Sequence, residues 1–181
     1  MKVMIYILSG IIFLLLIILI IGLFLPKTRT LKKEMIYNAS IETVYHIVTN
    51  NQDWKYRKSL DDLRIIETSD NHEMWEEVSG GNVIRFKTKE KRPFTLYSFE
   101  MDSKLFKGNW FAEFESVESG KTRVTATESI EYKNLFIRTI GYAFMNLDKY
   151  METYQNELKN KIENLLLARN SDSVHCLQKQ V

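Results

Sequence analysis

A long uncharged apolar stretch near the N-terminus constrains this chain more than any other feature. From Val3 to Leu25 no residue carries a charge, and Ile11 to Ile21 is wholly aliphatic apart from Phe13. As a helix this stretch spans about 34 Å, enough to cross a hydrocarbon core about 30 Å thick. A core helix of a soluble domain would show a polar stripe, which this stretch lacks. Residues 1–26 are therefore predicted to form one transmembrane anchor in contact with the lipid bilayer.

A cleaved signal peptide is the alternative interpretation of this stretch. The apolar region of a signal peptide has about 7–15 residues and ends at small residues. Here the apolar run is longer, and Phe24-Leu25-Pro26-Lys27 contains no such cleavage site, so we expect the anchor to be retained.

Cations follow the apolar stretch and predict its orientation. They form a short basic stem, residues 27–33, that contains Lys27, Arg29, Lys32 and Lys33. Because positive residues collect on the cytoplasmic side, the chain is predicted to be a single-pass protein of the cell membrane with its domain in the cytoplasm. Contact of the stem with anionic headgroups is a second possible use of these cations.

The remaining part of the chain is mildly acidic. The whole chain has a formal net charge of +2, and the four stem cations and Lys2 precede the first acidic residue, Glu34, so residues 34–181 carry −3. An acidic domain lacks the basic surface of a nucleic-acid binder, so nucleic acid is not expected as a partner.

Cysteine and histidine usage predicts neither a disulfide nor a metal site. Cys176 is the single cysteine, so no intramolecular disulfide can form. His46, His72 and His175 show no metal-ligand spacing with one another or with Cys176. No phosphate loop, nucleophile elbow or zinc-protease motif occurs, and no cofactor is predicted.

Short alternating runs predict an antiparallel sheet of about seven strands. The first strand is Thr30–Tyr37, followed by an N-cap at Ser40 and a short helix that ends near Asn50. Six more runs are separated by turns too short for crossover helices, which favours a meander. These runs are Leu63–Thr68, Glu73–Val78, Asn82–Glu90, Phe94–Met101, Asn109–Val117 and Thr122–Tyr132. The turns between them include Gly80-Gly81 and Lys107-Gly108.

Helical spacing of apolar residues predicts one long helix at the C-terminal end of the domain. Apolar positions recur every three or four residues from Ile137 to Leu165. We expect this helix to cover the apolar face of the sheet, which gives an α+β fold with a cavity between helix and sheet. The domain is predicted to span residues 34–168, and the polar tail, residues 169–181, is predicted to be disordered.

Several local motifs resemble the START-like superfamily of helix-grip proteins, which is also labelled SRPBCC or polyketide cyclase/dehydrase and lipid-transport proteins. The passage from Ile36 to Tyr45 is similar to the strand-to-helix passage of that family, and Gly120–Thr125 is similar to the start of its last hairpin strand. Trp54, Trp110 and the segment from Asn134 to Arg138 also match, although many relatives have proline where Leu135 stands.

This resemblance implies an elongated cavity for a hydrophobic ligand such as a lipid, a sterol or a polyketide. The family includes binders, transfer proteins and cyclases, so the resemblance does not imply a reaction.

Glu128 is the leading candidate for a functional polar residue. Its strand neighbours Val124, Ala126 and Ile130 are apolar, so the period-two geometry of a strand places Glu128 on the apolar side. A carboxyl group there must be paired, hydrogen-bonded or protonated. It could orient a ligand or act as general acid/base with Tyr97 as hydrogen-bond partner. A structural salt bridge, or a bulge that turns Glu128 outward, is the alternative.

Aromatic residues are candidates for the walls of the cavity. The set comprises Trp54, Trp75, Phe86, Tyr97, Phe99, Trp110, Phe114 and Phe144. Core packing is the alternative for most of them.

These features lead to three hypotheses for function. The leading one is a membrane-anchored domain that binds a hydrophobic or lipid-like small molecule without catalysis. The second is an enzyme of the cyclase or dehydratase type that uses Glu128. The third is an interaction module that holds a protein partner at the membrane.

Overall fold

The computed structural model describes residues 2–69, 72–118 and 120–178, with the side chains of all of these except 118 and 170–178. Four α-helices are present in these ranges. They are α1 (Lys2–Phe24), α2 (Ile41–Thr49), α3 (Leu135–Phe144) and α4 (Leu147–Gln178), and a short 3₁₀ helix spans Asn51–Tyr56.

Seven strands form one antiparallel sheet, as the alternating runs predicted. They are β1 (Thr28–Tyr37), β2 (Asp62–Ser69), β3 (His72–Ser79), β4 (Asn82–Arg92), β5 (Leu96–Ser103), β6 (Phe106–Glu118) and β7 (Lys121–Tyr132). Their order across the sheet is β1-β7-β6-β5-β4-β3-β2. Strands β2 to β7 form a meander, and β1 pairs with β7, so the first and last strands of the domain are neighbours.

Glycines are required at one turn of the sheet and at one close contact between its strands. Gly80 and Gly81 both have positive φ, 55° and 75°, which residues with a Cβ rarely adopt. The predicted turn at Lys107-Gly108 is wrong, because β6 begins at Phe106 and Gly108 lies inside it. A side chain at Gly108 would collide with the Ser129 carbonyl oxygen, so close strand packing and not a turn requires glycine there.

The predicted N-cap at Ser40 is confirmed, since its hydroxyl accepts a hydrogen bond from the Thr43 backbone N–H at 3.4 Å. The predicted long C-terminal helix is confirmed as α4, but the predicted continuous stretch from Ile137 is wrong. It is interrupted after Phe144, and Asn146 starts a new helix by accepting a bond from the Lys149 N–H at 3.1 Å. The apolar periodicity continues through the break because both helices have an apolar face, which hid the interruption.

Helix α4 lies on the concave face of the sheet and buries one side of itself. Its buried residues are spaced by three or four, as expected for one helix face. They are Leu147, Met151, Gln155, Leu158 and Ile162. The helix continues to Gln178, past the predicted domain boundary at residue 168, and residues 179–181 of the predicted tail lie outside the described residues.

Helix α1 is long and apolar enough to cross a membrane, with a mean hydropathy of 3.2, and it is the only such helix in the described part of the chain. Most of its side chains are exposed. Its C-terminal half contacts α3, where Gly22 is buried against Leu135 and Thr139.

Candidate functional site

Glu128 points into the space between the sheet and α4, as its strand alternation predicted. On β7 it lies between the buried residues Ala126 and Ile130, and its cross-strand neighbours are Leu31 on β1 and Trp110 on β6. Glu128 itself is half-buried. The site therefore lies on the cross-strand row formed by Leu31, Glu128 and Trp110.

Burial, together with the smaller effect of the negative charge of Glu77, raises the pKa of the Glu128 carboxyl from its ordinary value of 4.5 to about 7. Among the described residues, no hydrogen bond or ion pair reaches this carboxyl group. A carboxyl group with these surroundings exchanges its proton near neutral pH.

Glu77 on β3 is the second carboxylate of the concave face, and it is fully paired. The two terminal nitrogens of Arg57 bind its two oxygens, with Nη2 at 2.9 Å from Oε2. The indole N–H of Trp75 donates to Oε1 at 3.1 Å. Burial alone would lower the pKa of Arg57, but the Glu77 carboxylate raises it, so the guanidinium stays charged.

Two tyrosines complete this polar cluster, which we define as Glu128, Glu77, Arg57, Tyr56 and Tyr154. Tyr154 comes from α4, and the Arg57 guanidinium lies 5.2 Å from its ring centroid. Burial raises the pKa of both phenols, so both are uncharged hydrogen-bonding groups at neutral pH.

The polar cluster keeps accessible surface although it is largely surrounded by protein. Protein surrounds Glu128, Arg57 and Tyr154 on nearly all sides, yet each keeps a half-buried, accessible surface. The apolar residues Leu31 and Phe99 on the same concave face are also half-buried. These residues therefore keep some accessible surface although protein surrounds them.

Most of the predicted aromatic set forms one packed wall on the face of the sheet that carries Glu128. Trp75 stacks on Phe86 with ring centroids 5.1 Å apart, and Phe99 stacks on Trp110 at 4.9 Å. Tyr97 touches Phe99 edge to face at 5.7 Å. These rings pack against one another, as the core-packing alternative expected.

Three residues of the predicted set lie away from Glu128. Phe114 packs against Tyr45 of α2, with ring centroids 5.2 Å apart. Trp54 is half-buried in the 3₁₀ helix and packs on the edge of the core. Phe144 is 84% exposed at the end of α3, because the helix break turns it away from the sheet.

The predicted partnership of Glu128 with Tyr97 is not found. The Tyr97 hydroxyl is buried, and the polar side chains that interact with it are those of Thr88 and Asn51. Burial raises its pKa, and the carboxylate that adds to this effect is Glu73, not Glu128. Tyr97 lies two residues along β5 from Phe99, the residue on the rung of Glu128, so it faces a different part of the interior.

Sequence reasoning missed most of the polar cluster. The alternation Glu73, Trp75, Glu77 placed Glu77 on an inner face by the same argument that identified Glu128. Arg57 follows the 3₁₀ helix in a loop, and no local pattern predicts that it reaches Glu77.

Two depressions lie outside the region between the sheet and α4. One, of about 500 Å³, is on the outer face of the sheet between charged side chains that include Arg85, Lys87 and Glu100. The other, of about 520 Å³, lies between α1 and the start of α3. In the described part of the chain no three histidine, cysteine, aspartate or glutamate side chains come together as a metal site, and the His175 and Cys176 side chains lie outside the described set.

A seven-stranded antiparallel sheet packed against a long C-terminal helix, with polar groups turned toward that helix, defines the helix-grip fold. No family model matches the sequence, and no curated protein matches it either. Solved structures supply the comparison.

Three examples illustrate the shared fold. The Zhui aromatase/cyclase from a Streptomyces species has a TM-score of 0.67 at 9% identity, covering 77% of this chain and 96% of that one. A START superfamily protein from Mycobacterium smegmatis has a TM-score of 0.58 at 15% identity, covering 75% and 98%. Norcoclaurine synthase from Thalictrum flavum has a TM-score of 0.60 at 9% identity, covering 75% and 86%. The domain therefore has the fold that these three structures share.

Proposed function

We propose that this chain is a membrane-anchored binding domain for a hydrophobic small molecule that carries a polar, hydrogen-bonding group. The observation that carries the proposal is the Glu128 carboxyl, which is desolvated, lacks a protein partner among the described residues and belongs to a residue that keeps some accessible surface. A ligand hydroxyl, amine or carbonyl group would supply the missing hydrogen bond, and the aromatic wall would contact its apolar part.

The anchoring part of the proposal rests on α1. Its length and hydropathy match those of a membrane span, and only residues 25–27 separate it from β1, which contains all of the predicted stem except Lys27. The positive-inside rule then places the domain on the cytoplasmic side. Leu31, the cross-strand partner of Glu128, is three residues after Thr28, so the site lies about 10 Å from the start of the sheet.

A direct test is to identify what the protein carries. The full chain would be purified in detergent and extracted with organic solvent, and the extract would be analysed by mass spectrometry. We expect a compound in stoichiometric amount in the wild type, less of it in Glu128→Leu, and intermediate retention in Glu128→Gln, whose amide still forms hydrogen bonds.

Glu113→Gln is the matched control, because Glu113 lies on the exposed outer face of the neighbouring strand. It should retain the compound. Equal amounts of the same compounds in the wild type and in Glu128→Leu would contradict the proposal.

A cyclase-type enzyme is the second candidate, and the pKa of Glu128 favours it. A carboxyl group with a pKa of about 7 is suited to general acid–base catalysis at neutral pH. The solved structures that share the fold include two proteins named as enzymes.

The same variants separate the two candidates. If the site is catalytic, the wild type converts the co-purified compound to a product of different mass or retention time, whereas Glu128→Gln still binds it without conversion. If the compound stays unchanged with both the wild type and Glu128→Gln, the site binds it without catalysis and the enzyme hypothesis is wrong.

A further inference from the structure

Helix α3 has its polar side chains on the face that touches α1. Arg138 donates from Nη1 to the carbonyl oxygens of Gly22 and Leu25, at 3.0 and 3.1 Å. Thr139 donates its hydroxyl to the carbonyl of Ile18 at 2.8 Å. The Gly22 and Leu25 carbonyls lie at the end of α1, where no further helical N–H group is available, and the Ile18 carbonyl gains a second bond beside its helical one.

The face of α3 that turns away from the protein is apolar. Phe136, Ile140 and Phe144 follow one another at intervals of four, so they form one stripe along the helix. They are 41%, 38% and 84% exposed. A helix on a water-exposed surface has the reverse arrangement, with its polar residues outward.

The third face of α3 holds it against the domain. The Tyr142 ring lies 5.6 Å from the Tyr132 ring, and the Arg29 guanidinium lies 5.5 Å from the Tyr142 ring centroid. Gly141 is buried where a Cβ would collide with Tyr132. Helix α3 is thus held on two sides, and only its apolar stripe faces outward.

The depth of α3 along α1 indicates what covers this stripe. The apolar stretch of α1 ends at Leu25, and Ile18, the partner of Thr139, is seven residues earlier, about 10 Å along the helix axis. Interfacial helices lie about 5–10 Å deep at the boundary of headgroups and acyl chains. A bilayer that surrounds α1 therefore also surrounds the outer face of α3.

We propose that α3 is a second membrane element, an interfacial helix whose Phe136–Ile140–Phe144 stripe lies among the acyl chains of the leaflet next to the domain. This inference rests on the proposed anchoring by α1. It gives the domain two attachments to the bilayer, so the domain has a defined orientation and does not swing on the stem.

Fluorescence quenching in vesicles tests the inference. The full chain with Cys176→Ser would carry one new cysteine, Phe144→Cys or Ile140→Cys, labelled with an environment-sensitive dye and reconstituted in phosphatidylcholine vesicles. We expect blue-shifted emission and quenching by lipids that bear a nitroxide near the headgroup end of the acyl chain. Phe111→Cys, on the outer face of β6, is the matched control and should not be quenched.

A third label separates this inference from the anchoring itself. Phe13→Cys, in the middle of α1, should be quenched by lipids with a deep nitroxide. If Phe13→Cys is quenched and Phe144→Cys behaves like Phe111→Cys, the inference about α3 is wrong and the anchoring stands. If Phe13→Cys is not quenched, both are wrong.

Self-association is the other way to cover the stripe. It would appear as energy transfer between labelled copies at Phe144→Cys together with an absence of lipid quenching. That result would also overturn the inference.

Discussion

Arg57 binds both oxygens of the Glu77 carboxylate on the concave face of the sheet, with Nη2 and Oε2 2.9 Å apart. Glu128 faces the same interior from β7, and its pKa is raised by burial and by Glu77. Arg57 therefore pairs with Glu77 and not with Glu128. The Glu128 carboxyl, whose pKa is about 7, is partly protonated at neutral pH and can form a hydrogen bond with a bound molecule.

Removing the cation of the buried pair should destabilise the domain strongly. Arg57→Met leaves the Glu77 carboxylate desolvated and uncompensated, which costs about 3–5 kcal/mol of the free energy of unfolding. Thermal unfolding of the detergent-solubilised chain measures the effect. Arg85→Met is the control, because Arg85 pairs with Glu76 on the exposed outer face and should cost at most about 1 kcal/mol. Equal losses in the two variants would contradict the prediction.

Stability should fall as pH rises from about 4.5 to 7. In this window the folded protein keeps the Glu128 proton that the unfolded chain has lost, so the folded state binds more protons and rising pH favours unfolding. We expect Glu128→Gln to match the wild type at pH 4 and to exceed its stability by about 3 kcal/mol at pH 8. Unfolding midpoints at the two pH values measure this. A Glu128→Gln effect that is the same at both pH values, as expected for Glu113→Gln, would argue against it.

A larger residue at Gly22 should separate α1 from α3. A Cβ at Gly22 would lie 2.6 Å from the Leu135 carbonyl oxygen, so Gly22→Leu has no room without a shift of α3. We expect the Phe144→Cys label to move to a different depth in the quenching experiment and the unfolding midpoint to fall. Gly10→Leu, in the same helix with nothing within 4 Å, should change neither.

Gly108→Ala should destabilise the centre of the sheet by about 1–3 kcal/mol. The new methyl group would lie 2.7 Å from the Ser129 carbonyl oxygen and 2.8 Å from Met101 Cγ, so it overpacks the strand interior. Unfolding of the full chain measures the loss. Asn109→Ala, the next residue on the exposed outer face, should stay within about 0.5 kcal/mol of the wild type. Similar values for both variants would show that the strands move apart at little cost.

Local patterns were sufficient for much of the fold. Alternation identified all seven strands, and Ser40 was recognised as an N-cap from its position before Glu42 and the apolar residues of α2. The same alternation placed Glu128 on the inner face. Periodicity failed after Phe144, where two amphipathic helices follow one another without a glycine or proline between them.

The sequence by itself determined which face the side chains occupy along the regular parts of the strands, since that depends only on the two-residue repeat of an extended chain. Only the tertiary structure decided where this repeat is interrupted, as between Thr88 and Glu90. It also decided that Arg57 pairs with Glu77, that Tyr97 does not pair with Glu128, and that α3 presents its apolar stripe outward beside α1. These relationships join residues far apart in the chain. They depend on the curvature of the sheet and on where each helix begins, and neither is encoded in the spacing of neighbouring residues.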